Sequence, residues 1–101
     1  MNRKQIYDLV VKTLESIQEL SGREKANINE DTVPIGQLSG FDSVNGVELS
    51  MMISEHIPME KNVRLCVSDD GTKALSVSQI LDRLVKLWEA TRGGKKDAKG
   101  Q

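Results

Sequence analysis

The sequence predicts an all-α fold: a small bundle of three main helices plus a short third helix or irregular segment, with a long loop between the first two helices. Three observations predict it. Apolar residues recur at three- and four-residue steps near both ends of the chain, at Ile6, Leu9, Val10, Ile17 and Leu20 and again at Val77, Ile80, Leu81, Leu84, Leu87 and Trp88, the period of one helix face. A second amphipathic stretch between them opens on Asp42-Ser43 and stops at Pro58, a capping pair and a helix breaker. Strand-like alternation is confined to Val63, Leu65 and Val67, and an isolated hairpin is marginal without a sheet to join.

The elements follow in order. The first helix is expected over residues 3–21, with Thr13 on its apolar face, Lys12, Glu15, Gln18 and Glu19 on much of the other, and Ser21-Gly22 as its stop. Residues 22–42 carry Asn27, Asn29, Asp31, Pro34, Gly36 and Gly40, a turn composition. Ile28, Val33, Ile35 and Leu38 punctuate that loop and can pin it across the core, with a single helical turn around Ile35 to Leu38. A loop of this length in a small domain is more often functional than idle. The second main helix is expected from Ser43 to about Ile57, with an apolar arc wider than one core contact needs. Residues 59–76 are read as a short helix or irregular segment packed through Val63, Leu65 and Val67. The last helix opens at Ser76, where Gln79 three residues on makes a capping box. Thr91-Arg92-Gly93-Gly94 is its expected end. The domain then spans residues 1–91, and 92–101 is expected to be a disordered basic tail without apolar content to fold around.

At 101 residues, with 38% hydrophobic and 29% charged, the chain suits one small globular domain with a modest core. A surface site is more in keeping with that size than a deep catalytic cavity. Fourteen basic and fifteen acidic residues leave a net charge of −1, so no global field favours nucleic acid or an anionic membrane. Aromatics make up only 3%, too few for stacking platforms on single strands. Cys66 is the sole cysteine, which rules out an internal disulfide, and no zinc-ligand spacing accompanies it. Neither an apolar signal-peptide core nor a membrane-length apolar run occurs. Cytoplasmic residence without membrane insertion is expected, as is a monomer.

The stretch Gly40-Phe41-Asp42-Ser43-Val44-Asn45-Gly46-Val47-Glu48 carries the functional signal. It sets one hydroxyl, Ser43, where a polar loop becomes a helix. The first amides of a helix lack intrahelical acceptors and, with the macrodipole, favour an anion such as a phosphodiester. Asp42 is placed to cap the helix. Taken alone, Asp-Ser reads as a simple capping pair, common at helix starts because both residues cap well; the surrounding order of elements is what points to attachment. Gly46 is a poor helix former, and a small residue there would leave room beside a group attached to Ser43. No acid, base and nucleophile set accompanies the serine: His56, the only histidine, lies well along the second helix and reads as a surface residue.

In its motifs the chain resembles the acyl carrier proteins. Phe41-Asp42-Ser43-Val44, then Val47-Glu48-Leu49 and Met51, are similar to that family's attachment motif and recognition helix. Asp31-Thr32-Val33-Pro34-Ile35-Gly36-Gln37-Leu38 looks like the loop before the motif, and Leu75 to Leu84 like the last helix, so the likeness covers about residues 3–90. The resemblance implies an acyl-carrier-protein-like bundle and a covalent shuttle rather than an enzyme. Ser43 would receive 4′-phosphopantetheine from coenzyme A, and acyl groups would travel on that arm as thioesters in fatty-acid, polyketide or other specialised acyl metabolism. The implied partners are a phosphopantetheinyl transferase, for which Asp42 and Val44 would be recognition residues, and acyl-transferring or ligase enzymes. Val44, Val47, Glu48 and Met51 would form the docking face. Asp42 would also help the transferase place a metal ion, while the chain itself holds none. Met51 and Met52 would be adaptable contacts or ordinary core.

Three departures set the chain apart from the common pattern. Only Glu48 and Glu55 are acidic within 43–57, and Asn45 stands where an acid is usual, so electrostatic steering to partners should be weak. The stretch from Pro58 to Ser76 is longer than usual and carries Arg64 and Lys73; the basic tail has no counterpart in the family and reads as a solubilising segment. An aminoacyl or peptidyl carrier shares the fold and arm, although Phe41-Asp42 favours the acyl type. A carrier-like interaction module that is never modified is the alternative from another class.

Overall fold

The computed structural model describes residues 1–24, 27–59 and 63–100, with side chains in the last helix as far as Thr91. Among the described residues there are four helices and no strand: α1 (Arg3–Leu20), α2 (Pro34–Gln37), α3 (Ser43–Ile53) and α4 (Val77–Gly100). The all-α class is as the periodicity predicts. Helix α1 packs against both α3 and α4, and its Ile6, Val10, Leu14 and Ile17 join Leu49 and Ile53 of α3 and Ile80, Leu81 and Leu84 of α4 in one buried core.

Helix α1 starts where Asn2 caps it: Asn2 Oδ1 accepts from Gln5 N at 2.8 Å, and Gln5 Oε1 accepts from Asn2 N at 2.8 Å. Its end is a Schellman turn, in which Gly22 (φ 69°) donates its N–H to Glu19 O and Arg23 donates to Gln18 O. The chain leaves the helix there, and Leu20 is 82% exposed rather than part of the core stripe. Leu14 takes up core volume that periodicity had not assigned to it.

The loop after α1 is pinned as expected, by buried Leu38 and Phe41 and by the half-buried Ile28 and Ile35. Helix α2 is the expected single turn and no more. Ile35 (ψ 113°) and Gly36 (φ 106°) leave helical geometry inside it. The loop also completes α4, whose first amides lack intrahelical partners: Val77 N donates to Thr32 O at 2.8 Å and Ser78 N to Glu30 O at 2.9 Å. The expected capping box is present as well, with Gln79 N donating to Ser76 Oγ at 3.3 Å and Ser76 N to Gln79 Oε1 at 2.9 Å.

Helix α3 ends at Ile53, short of the expected Ile57. Pro58 disfavours helical geometry at the residue before it, and the chain passes through turns in which His56 and Ile57 both donate to Ile53 O. Ile57 nevertheless stays fully buried. The following segment is irregular over its described part; residues 60–62 lie outside the described residues. Leu65 and Cys66, consecutive rather than alternating, are the buried pair, while Val63 and Val67 are half-buried. A single antiparallel bridge joins Val67 to Ala74, which is what the local hairpin signal amounts to.

Two side chains hold this segment from opposite sides. Ser50 of α3 accepts from Leu65 N at 3.1 Å while donating to Gly46 O at 3.0 Å. Arg83 of α4 donates to Arg64 O at 2.8 Å and Val67 O at 2.6 Å and pairs with Asp69 at 2.9 Å. Helix α4 runs on through Gly93-Gly94 to Gly100, past the expected end at 91–94 and into the expected tail, of which Gln101 lies outside the described residues. Each glycine costs about 1 kcal/mol against alanine but does not forbid helix, and extending an existing helix avoids the cost of nucleation.

Candidate functional site

Ser43 is the first residue of α3 and is exposed. Asp42, in extended geometry, caps the helix: its Oδ1 accepts from Val44 N at 3.0 Å and Asn45 N at 3.3 Å. Asn45 closes a reciprocal box by accepting from Asp42 N at 3.2 Å through Oδ1. The hydroxyl of Ser43 therefore sits on backbone fixed from both sides, at the end of α3 where the dipole is positive.

The fixing extends beyond the motif. Asn45 is only 8% exposed, and its Nδ2 donates to Glu48 Oε1 at 3.0 Å. Arg23 Nη1 donates to Asn45 Oδ1 at 3.0 Å and to Gln18 Oε1 at 3.1 Å. Gln18 in turn donates from Nε2 to Ser39 O at 2.7 Å. Gly40 holds φ 67°, a left-handed conformation suited to glycine. Arg23 and Gln18 were not singled out by sequence reasoning, since a helix-face glutamine and an arginine after a stop signal are ordinary residues.

The docking residues inferred from sequence lie together on one exposed stripe. Val44 is 72%, Val47 46% and Met51 65% exposed, at the spacing that shares a helix face. Glu48 is exposed beside them. The opposite side of α3 turns Leu49, Ser50 and Ile53 into the core, so the wide apolar arc divides into a core half and a solvent half. Met52 is half-buried against the core.

Gly46 corrects the expectation of space near Ser43. It is buried, and a Cβ there would meet Cys66 Cβ at 3.3 Å and Ile35 Cδ1 at 3.8 Å. Its small size admits the 63–67 segment against α3 rather than leaving room beside the serine. Burial pushes the Cys66 thiol up to about 12, against a smaller downward pull from Arg83, so it is a packing group and not a nucleophile. His56 is exposed, as expected.

Elsewhere, a polar cleft of about 310 Å³ lies beside Arg83 and the Ser68–Gly71 turn. Within that turn Asp70 is held at about 2 by hydrogen bonds, first from the Ser68 hydroxyl and then from Thr72. Among the described residues no group of three or more His, Cys, Asp or Glu is placed to hold a metal ion, and no helix is long and apolar enough to cross a membrane. No family model, no curated protein and no solved structure matches the chain.

Proposed function

We propose that this protein is an acyl carrier that bears a 4′-phosphopantetheine arm on Ser43. One observation supports this most: an exposed serine opens α3 behind an aspartate cap, and the same helix carries an exposed apolar stripe beginning at the next residue. Attachment requires an accessible hydroxyl, and Ser43 is exposed. In the loading step, a transferase would direct Ser43 Oγ onto the β-phosphorus of coenzyme A. The new phosphodiester forms as the diphosphate bond breaks, 3′,5′-ADP leaves, and the serine proton passes to a base of the transferase. The arm would supply a terminal thiol on which acyl groups travel as thioesters.

The chain's own contribution is presentation. Asp42 holds the helix start and leaves Ser43 exposed, and the macrodipole of α3 favours the attached phosphodiester. Val44, Val47 and Met51 would meet the transferase and the acyl-transferring or ligase enzymes. Because only Glu48 and Glu55 are acidic within 43–57, recognition would rest on apolar fit more than on charge. Phe41 is buried and anchors the motif, so the aromatic there has a structural role whether the cargo is acyl or aminoacyl.

The test is intact-mass measurement of the chain after incubation with coenzyme A and a broad-specificity phosphopantetheinyl transferase. A gain of one phosphopantetheine, absent in Ser43→Ala, is expected. A second reading, a docking module that is never modified, draws on the apolar stripe, which needs no arm. Absence of any gain in a folded sample with a competent transferase would favour that reading.

A further inference from the structure

We propose that Arg23 is a positioning residue for the loading of Ser43, an inference that rests on the attachment reading above. The backbone of Arg23 is fixed first. As the residue that closes the Schellman turn of α1, it donates its N–H to Gln18 O at 2.9 Å. From that anchor the side chain crosses to the start of α3, where one nitrogen, Nη1, serves both Gln18 Oε1 and Asn45 Oδ1.

Both acceptors belong to side chains nearly removed from water, Gln18 at 4% and Asn45 at 8% exposure. Leaving such groups unpaired is costly, so the arrangement resists loosening. Its reach covers both sides of Ser43. On the downstream side, the Asn45 oxygen that Arg23 binds is the one that accepts from Asp42 N and closes the capping box. On the upstream side, Gln18 holds the Ser39 carbonyl, and the Arg23 side chain lies directly over Gly40. A Cβ on Gly40 would sit 2.7 Å from Arg23 Nε. Residues 39, 40, 42 and 45 are thereby registered against the C-terminal end of α1 through Gln18 and the Arg23 guanidinium that joins Gln18 to Asn45. Arg23 is not one of the side chains that form the buried apolar core with Ile6, Leu49, Leu81 and Leu84.

Phosphoryl transfer requires the serine oxygen in line with phosphorus, and a displacement of about 1 Å can cost about a hundredfold in rate. Releasing residues 39–45 should therefore slow loading without removing the docking face.

The test compares wild type with Arg23→Met, which keeps an unbranched apolar stem but removes the donors, and Arg23→Lys, which restores one. Full-length chains are assayed with coenzyme A and a phosphopantetheinyl transferase, and backbone order parameters are measured by NMR. For Arg23→Met we expect kcat to fall at least about tenfold while KM for the chain stays within about twofold, the pattern of an interaction made in the transition state. Order parameters should drop at 39–45 and hold in α4 over 77–88. Arg23→Lys should recover most of the lost kcat. An unchanged kcat, a loss carried by KM alone, or a loss of order spread evenly over α4 would overturn the role. Should Arg23→Met fail to fold, Arg23→Gln, which shortens the side chain and removes the guanidinium, replaces it with the same expected kcat loss, and a normal kcat there overturns the role equally. If wild type takes up no arm, the attachment reading fails and this role with it; if wild type and Arg23→Met load equally fast, only this role fails.

Discussion

Replacing Ser50 with alanine removes one oxygen and, with it, the bridge between α3 and the irregular segment. Ser50 is 6% exposed and Leu65 is fully buried, so the Leu65 N–H that Ser50 Oγ accepts at 3.1 Å has no water to turn to. An unsatisfied buried amide costs about 1–3 kcal/mol. The Gly46 carbonyl is affected less, since it keeps the ordinary helix acceptor role. For a domain of this size each kcal/mol lowers the melting temperature by roughly 4–8 °C, so Ser50→Ala should melt roughly 10 °C below wild type. Urea unfolding followed by Trp88 fluorescence gives the free energy, with an unchanged slope expected because the exposed surface is the same. Amide exchange at Leu65 should accelerate. Ser54→Ala is the control: Ser54 is exposed and its hydroxyl donates to Met51 O within its own helix turn at 2.6 Å, so its effect should stay within about 0.5 kcal/mol. A Ser50→Ala protein no less stable than Ser54→Ala, with Leu65 still protected, would refute the reasoning.

Other predictions concern chemistry and recognition. Folded protein without an arm should leave Cys66 unreactive toward thiol reagents near neutral pH, because burial raises that thiol to about 12; fast labelling before denaturation would contradict this, and loading should add one fast-reacting thiol. Asp70 titrates at about 2, below its ordinary range, chiefly because of the Ser68 hydroxyl. Since the folded value lies below the unfolded one, its stabilising contribution is present above the ordinary carboxylate range and fades as pH falls through about 2. Carboxyl NMR should show that midpoint and should show it rising toward about 3.9 in Ser68→Ala; a wild-type midpoint near the ordinary value would count against the hydrogen-bonded turn. Val47→Glu should change stability by no more than about 0.5 kcal/mol yet raise the transferase KM. Wild-type KM should vary little with salt, whereas a steep salt dependence would mean that charge guides docking.

The helices that bury a periodic stripe were legible from sequence, because α1 and α4 write their core contacts into local spacing. The starts of α3 and α4 were legible for a related reason, since Asp42, Ser76 and Gln79 act on amides within a few residues. The wide apolar arc of α3 announced two faces, and Val44, Val47 and Met51 do face solvent. What escaped was set by distant partners. Leu20 leaves the core because a Schellman turn carries the chain away, and Cys66 enters it because Ser50 and Arg83 pull its segment inward. Gly46 looked like space for a substituent, yet the space is occupied by a segment 20 residues on. The Arg23–Asn45 contact joins residues 22 apart, and no local pattern distinguishes that arginine from a solvated one. The continuation of α4 past Gly93-Gly94 runs against local propensity.

A carrier role for this protein requires covalent modification of Ser43. Protein co-produced with a phosphopantetheinyl transferase can be digested and sequenced by tandem mass spectrometry, following the arm as it is ejected. The arm is predicted on the peptide containing Ser43 alone, and not on Ser39, Ser50 or Ser54 within the same region. An arm on another serine, or a folded and transferase-exposed chain with Ser43 unmodified, would contradict the carrier assignment.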